Sequence, residues 1–303
     1  MSEFFKRLSV AAVFAVLFVL LIIMTVGWDS DHTALIILVT GFLLLHKYTY
    51  RIVFILYGFL FFYIIYDTLP ALPNYTVNDV HILELYNIEL ALFGIKDAGK
   101  TVVPSEWFIT RTNDVLSFIA GMAYILWMPL PMIYAVYLFF KDKKMLFIFG
   151  SAFLLTCIIA MIGYYIYPAA PPWYFINYGV GTDFTIPGSE GLLSEFDRLV
   201  GVPIFNGIYA KGGNVFCAIP SLHCAYPVLC MLVAWQMKNR WHLLGFSLWA
   251  LGTWFAAVYS QHHYIIDVIL GVMCAIFAYW VVNRLMRTSV FKKLQQSYIA
   301  QLS

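Results

Sequence analysis

The sequence predicts an all-α polytopic membrane protein with about eight transmembrane helices. Apolar residues make up 62% of its 303 residues and charged residues only 11%, which leaves too little polar surface for a water-soluble domain. Much of the apolar content falls in runs of about 20 residues, the length that crosses a bilayer core as a helix. Lysine and arginine are sorted unevenly between alternate connections, as expected of a chain that threads a membrane repeatedly.

The expected spans are residues 8–27, 32–46, 51–68, 115–140, 145–167, 220–237, 242–261 and 264–283. The first follows Lys6 and Arg7 as a signal peptide would. It is too long for one, and no small-residue cleavage site follows, so a retained anchor is expected. The second is short and reads equally well as a tilted or interfacial element. Lys47 and Arg51 bracket the turn into the third span, which ends at Asp67 and Thr68. Lys141, Lys143 and Lys144 separate the fourth from the fifth, and Lys238 and Arg240 separate the sixth from the seventh. The sixth starts at Pro220-Ser221, a proline followed by an N-cap residue. The eighth starts beside His263 and stops before Arg284.

Thirteen of the 18 lysines and arginines fall on one side of this arrangement. An even number of spans then puts both termini in the cytoplasm. The connections 69–114 and 168–219 and both histidine motifs face the periplasm or lumen, and a bacterial inner membrane is the expected location, or the Golgi membrane in a eukaryote. Within 69–114, residues 81–90 carry apolar periodicity suited to a helix lying in the interface. The 168–219 connection is rich in glycine, proline and aromatic residues and is expected to be ordered over the site. Residues 288–303 read as a short polar cytoplasmic tail. A net charge of +2 points to no nucleic-acid partner. The five cysteines lack metal-type spacing; Cys217 alone sits near an exposed edge, where any pairing would be between chains or with a partner.

Two short segments carry the chemistry. In His263-Tyr264-Ile265-Ile266-Asp267 the histidine and the aspartate are four residues apart, which places them on one helix face. A carboxylate there orients an imidazole and leaves its other nitrogen basic. The bland reading is a structural polar pair, but an aspartate inside an apolar helix is costly without a partner. In Pro220-Ser221-Leu222-His223 the histidine rides the first turn of another helix, whose free N–H groups suit an anionic phosphate. Two imidazoles and an orienting carboxylate are the parts of a covalent phosphoryl-transfer site, with His263 as nucleophile, Asp267 as its orienting group and His223 as proton shuttle. His262 has Ile266 four residues on and lacks a carboxylate, which makes it a secondary site residue or a surface histidine. Tyr167-Pro168-Ala169-Ala170-Pro171-Pro172-Trp173-Tyr174 is a rigid aromatic turn that shapes a lipid entrance or serves as an interfacial belt. No second carboxylate completes a cation site, so no metal or other cofactor is expected.

Together these motifs resemble the second and third signatures of the type 2 phosphatidic acid phosphatase superfamily. Ala170-Pro171-Pro172-Trp173-Tyr174, Gly188-Ser189-Glu190-Gly191-Leu192, Asp197-Arg198-Leu199-Val200-Gly201 and Ala218-Ile219-Pro220-Ser221-Leu222-His223 resemble the inositol phosphorylceramide synthase branch, the aureobasidin A target family. The resemblance covers about residues 51–283. It implies a six-helix catalytic core over 51–287, N-terminal helices over 1–50 and a tail over 288–303. It further implies a sphingolipid synthase that moves phosphoinositol from phosphatidylinositol to ceramide through a phosphohistidine.

The departures matter too. The superfamily's phosphatases carry an arginine six residues before the third-motif histidine, where this chain has Ala257, and Tyr164 to Tyr174 hold no basic residue. Fewer cations suit a singly charged phosphodiester better than a phosphomonoester. A lipid phosphate phosphatase, a sphingomyelin or ceramide phosphoethanolamine synthase, and a non-catalytic transporter or scaffold remain open alternatives. Head-group contacts are sought among Ser221, Pro220, Tyr174, Trp173, Lys211, Asp67 and His262, with Asn177, Asp183, Asn206, Asn214 and Gln261 as further polar candidates.

Overall fold

The computed structural model describes residues 3–210 and 214–302. Helices follow one another along the chain: α1 (Glu3–Met24), α2 (Ser30–Leu45), α3 (Lys47–Ile55), α4 (Tyr57–Asp67) and α5 (Leu83–Phe93). A hairpin of β1 (Ile95–Asp97) and β2 (Lys100–Val102) precedes α6 (Pro104–Trp107), α7 (Asp114–Ile125), α8 (Pro129–Lys141) and α9 (Lys143–Ile166). Then come the short α10 (Pro172–Tyr178), α11 (Ser194–Val200) and α12 (Ile204–Tyr209), and finally α13 (Leu222–Gln236), α14 (Arg240–Tyr259), α15 (Ile265–Leu285) and α16 (Ser289–Gln301).

Four of these, α1, α9, α14 and α15, are long and apolar enough to cross a membrane. The bent pairs α3–α4 and α7–α8, inclined at 60° and 46°, raise the number to six if each is one span. The second bend falls just before Pro129, whose ring and missing N–H break a helix at that point. The apolar α2 and α13 have 16 and 15 residues, so the expected eight spans require both to cross a locally thinned bilayer.

Two local features differ from the sequence expectation. The hairpin adds strands to an all-α chain; Ala98 and Gly99 both hold positive φ, 45° and 84°, as a type I′ turn demands. Strands of three residues are too short to leave a period-2 signal. Residues 288–303, expected as a polar tail, contain α16, which Thr288 caps by accepting from the Phe291 N–H. Asn74 is buried, and its amide donates to the Tyr164 and Phe216 carbonyls.

Packing divides the chain differently from the expected 1–50, 51–287 and 288–303 segments. One unit comprises Met1–Leu72, Met132–Leu154 and Val282–Ser303; the other comprises Pro73–Pro131 and Leu155–Val281. In the first unit, Ala11, Val39, Leu43 and Tyr50 form a small core. Helix α4 crosses α9 so closely that a Cβ on Gly58 would lie 2.9 Å from the Gly150 carbonyl oxygen. Tyr298 of α16 donates to the Phe54 carbonyl, and the Tyr50 hydroxyl donates to Gln301.

The second unit packs α14 between α7 and α13 around Ala120, Tyr124, Cys224, Ala256, Ala257 and Tyr259. The 168–219 connection folds back on this bundle. The Tyr174 hydroxyl accepts from the Asp183 N–H and donates to the Gly181 carbonyl. The Asp197 carboxylate accepts from the N–H groups of Phe205 and Asn206 at the start of α12. Gly201 ends α11 with φ 72°. All five cysteines are free.

Candidate active site

Ser221 is the N-cap of α13, its hydroxyl accepting from the Cys224 N–H at 3.4 Å. The first-turn N–H groups of Leu222 and His223 have no carbonyl four residues back to bond within the helix, so this end presents donors and the positive pole of the helix dipole. His223 projects from that turn between two aromatic faces, stacked on Tyr124 at 4.5 Å and tilted against Trp127 at 4.3 Å between ring centroids. Neither aromatic residue was singled out from the sequence, because both lie on α7 and the link that follows it.

His263 stands in the turn before α15, so the expected shared helix face for His263 and Asp267 gives way to a capping geometry. Tyr264 precedes the helix, and Asp267 on its third residue reaches back to accept from the Tyr264 N–H at 2.8 Å. The His263 Nδ1 lies 3.0 Å from the Ala218 carbonyl oxygen and 3.4 Å from Asp267 Oδ2. Asp267 was expected to fix the tautomer. The nearer and better-placed acceptor is the Ala218 carbonyl, which takes the Nδ1–H and leaves the Nε2 lone pair free. Asp267, fully buried, sets its carboxyl group beside the ring. Burial holds the His263 pKa down to about 4, with the Ala218 bond acting in the opposite direction, so the ring is neutral and nucleophilic at pH 7.

The two motifs are joined through backbone and close packing. The Ser221 N–H donates to the Asp267 carbonyl at 3.0 Å. A Cβ on Gly271 would lie 2.2 Å from the Ser221 carbonyl oxygen. Only glycine permits that approach. The result is 5.7 Å between the ring centroids of His223 and His263. Ala257 lies beneath the turn, fully buried, its carbonyl accepting from the N–H groups of both His262 and His263.

A second carboxylate also stands here. Glu89 of α5 is fully buried, and its two oxygens accept from the N–H groups of Ile265 and Ile266 at 2.9 and 3.3 Å. Sequence reading placed it only within an interfacial helix; an internal acid among Leu85, Ile88 and Leu92 was the available signal. No cluster of three or more metal-binding side chains occurs among the described residues.

The remaining candidates are spread more widely. His262 is buried and stacks on Tyr209 at 4.6 Å, with Nε2 3.0 Å from the Glu190 carbonyl. Burial pushes its pKa down to about 3. Gly191, with φ 53°, lets the Gly188–Leu192 stretch pass over Ser260, and the Leu192 N–H donates to the Ser260 carbonyl. Trp173 and Tyr174 are packed with Ile82, Ala170 and Phe216 in a closed cluster. Pro220 lies against Gly163. Asp183 accepts from Thr185, Asn206 donates to Glu190, Asn214 donates to Asn74, and the Gln261 carbonyl accepts from Trp173. Asp67 belongs to the other unit, 2.7 Å from His32 Nε2. Lys211 lies outside the described residues.

Comparison with known proteins places this constellation among relatives. The sequence profile of the PAP2 superfamily matches residues 97–281. The chain is 40% identical over 276 residues to a phosphoinositol dihydroceramide synthase of Bacteroides thetaiotaomicron, covering 90% of each chain. It is 29% identical over 175 residues to an inositol phosphorylceramide synthase of Candida albicans, covering 57% of this chain and 37% of that protein. It is 31% identical over 109 residues to an inositol phosphorylceramide synthase catalytic subunit of Saccharomyces cerevisiae, covering 35% and 26%. No solved structure matches the chain significantly.

Proposed function

The chain belongs to the PAP2 superfamily, and from that premise we propose that it is a sphingolipid synthase transferring a phosphoinositol head group from phosphatidylinositol to a ceramide. The name of the relative that spans 90% of both chains favours a dihydroceramide as acceptor. One observation carries the reading: a neutral histidine with a free Nε2 stands beside an open helix N-terminus. The position that carries an arginine in the phosphatases is the buried Ala257. Helix N–H groups and imidazoles suit the single charge of a phosphodiester.

In this reading the donor phosphate rests on the Leu222 and His223 N–H groups. His263 Nε2 attacks phosphorus; the N–P bond forms as the P–O bond to diacylglycerol breaks, and protonated His223 delivers a proton to the departing oxygen. The phosphorylated ring is a cation held by the Ala218 carbonyl and by the charge of Asp267. Neutral His223 then takes the proton from the primary hydroxyl of the ceramide, whose oxygen displaces His263 and restores both rings. Burial of His262 and His263 keeps water from the intermediate. The charge asymmetry of the connections supports a reaction on the periplasmic or luminal face.

The decisive assay gives the purified protein ceramide or dihydroceramide with a panel of labelled phospholipids. Label from phosphatidylinositol should enter the ceramide product, with diacylglycerol released in equal amount. Phosphate release from phosphatidic acid without dependence on ceramide would overturn the proposal. Transfer from phosphatidylcholine or phosphatidylethanolamine in its place would reassign the donor.

A further inference from the structure

The N-terminus of α15 is closed by two carboxylates, and only one of them belongs to the histidine motifs. Asp267 takes the Tyr264 N–H, and Glu89 takes those of Ile265 and Ile266. Glu89 comes from α5, ahead of the segment that the family profile matches, which begins at residue 97. A helix is ordinarily capped by its own N-cap side chain. Here that residue is Tyr264, which has no capping oxygen, and the one before it, His263, faces the Ala218 carbonyl. The cap is therefore imported from another element.

We infer that Glu89 is a positioning residue for the transfer: its ionised carboxylate clamps the first turn of α15 and so fixes the His263–Asp267 turn against the Ala218 carbonyl. The inference rests on the synthase reading for its reaction, though not for its geometry. A second consequence concerns the substrate. With its leading N–H groups occupied, α15 offers no anion site, and the donor phosphate is left with the N-terminus of α13. A merely structural cap would not call for a buried charge beside Asp267, since a neutral amide or hydroxyl satisfies the same donors more cheaply.

The titratable groups around Glu89 are Asp267 and Tyr264 on the α15 side, Tyr86 on its own helix and, beyond Tyr86, Glu106 of α6. Among the described residues no lysine or arginine pairs with it. Burial, helped by the charge of Asp267 and opposed by the two N–H bonds, pushes its pKa up to about 7. The clamp is thus complete above that pH and weakened below it, because a protonated carboxyl gives up one of its acceptors.

The test compares wild type with Glu89→Gln in nanodiscs, reading transfer kinetics against pH and the rate at which diethylpyrocarbonate acylates His263, followed by peptide mass spectrometry. The expected result is a variant with wild-type elution and melting at pH 8. Its kcat should fall by about tenfold or more while KM for both lipids stays within roughly twofold. The acid limb of kcat near pH 7 should disappear, and the acylation rate of His263 should lose the same pH dependence. A wild-type kcat and pH profile would overturn the inference, as would a loss of activity that merely tracks the loss of folded protein. Should the glutamine variant fail to fold, Glu89→Asp keeps the charge on a shorter arm. It must then lower kcat while retaining the acid limb, and a wild-type kcat there overturns the inference equally. If wild type transfers nothing from any phospholipid, the synthase reading fails, and the acylation rate still decides the role of Glu89.

Discussion

At the scale of single residues, the division of labour around His263 sets the expected sizes of two losses. His263→Ala removes the proposed nucleophile and should reduce transfer to background in the labelled-lipid assay; a fully active variant would end the phosphohistidine proposal. Asp267→Asn is a milder case. The asparagine oxygen still accepts from the Tyr264 N–H, and the Ala218 carbonyl still holds the tautomer. Only the charge 3.4 Å from Nδ1 is lost, so turnover should fall by roughly 10²-fold, the low end for a group assisting proton and charge transfer. The low pKa of His263 has its own signature. Its value is about 4 in the fold against 6.5 for an ordinary histidine, so the unfolded chain binds a proton more readily than the fold does. The corresponding stability is present above pH 6.5 and is lost as pH falls through about 4. Melting temperatures measured across that window should decline toward acid, and less steeply in His263→Gln.

At the scale of elements, the proposed transfer depends on how closely α15 meets the start of α13. Gly271 is where that contact is made, and Gly271→Ala puts a methyl group into the Ser221 carbonyl. Alanine favours a helix over glycine by up to about 1 kcal/mol. The clash outweighs it, with overpacking of this kind costing about 1–3 kcal/mol. The expected outcome is a lower melting temperature together with a transfer defect larger than the loss of folded protein, because His223 is displaced from His263. A variant with wild-type stability and activity would show that the contact gives way freely. The N-cap serine and the proximity of His263 to Asp267 were legible in the sequence because both are local signals, whereas the capping turn that replaces the shared helix face was not. Nor could the sequence carry Glu89 or the Ala218 carbonyl, which reach the site only through tertiary packing. The aromatic stretch at Trp173 and Tyr174 read as a lipid entrance or an interfacial belt, and its rings pack with Ile82, Ala170 and Phe216.

At the scale of the whole molecule, the charge distribution makes a claim about sidedness. Thirteen lysines and arginines on one set of connections against five on the other is a bias that orients polytopic chains. The proposed orientation puts the 168–219 connection outside and α16, with Lys292 and Lys293, inside. The native cysteines are buried or half-buried, so they are shielded from an aqueous maleimide and can be left in place. Single cysteines can then be placed at Thr182 and Lys292, both exposed. A membrane-impermeant maleimide should label the cysteine at position 182 in intact cells and the one at 292 only after permeabilisation. The reverse pattern would move the reaction to the cytoplasmic leaflet and change which pool of lipid it draws on. The expected orientation also bears on chemistry. A transferase acting on that face works where nucleotide-activated donors are scarce, and an intact phospholipid brings both the head group and the energy of its phosphodiester into the site. Activity in sealed, correctly oriented vesicles should then need only donor phospholipid and ceramide, and should survive a chelator and the absence of any nucleotide.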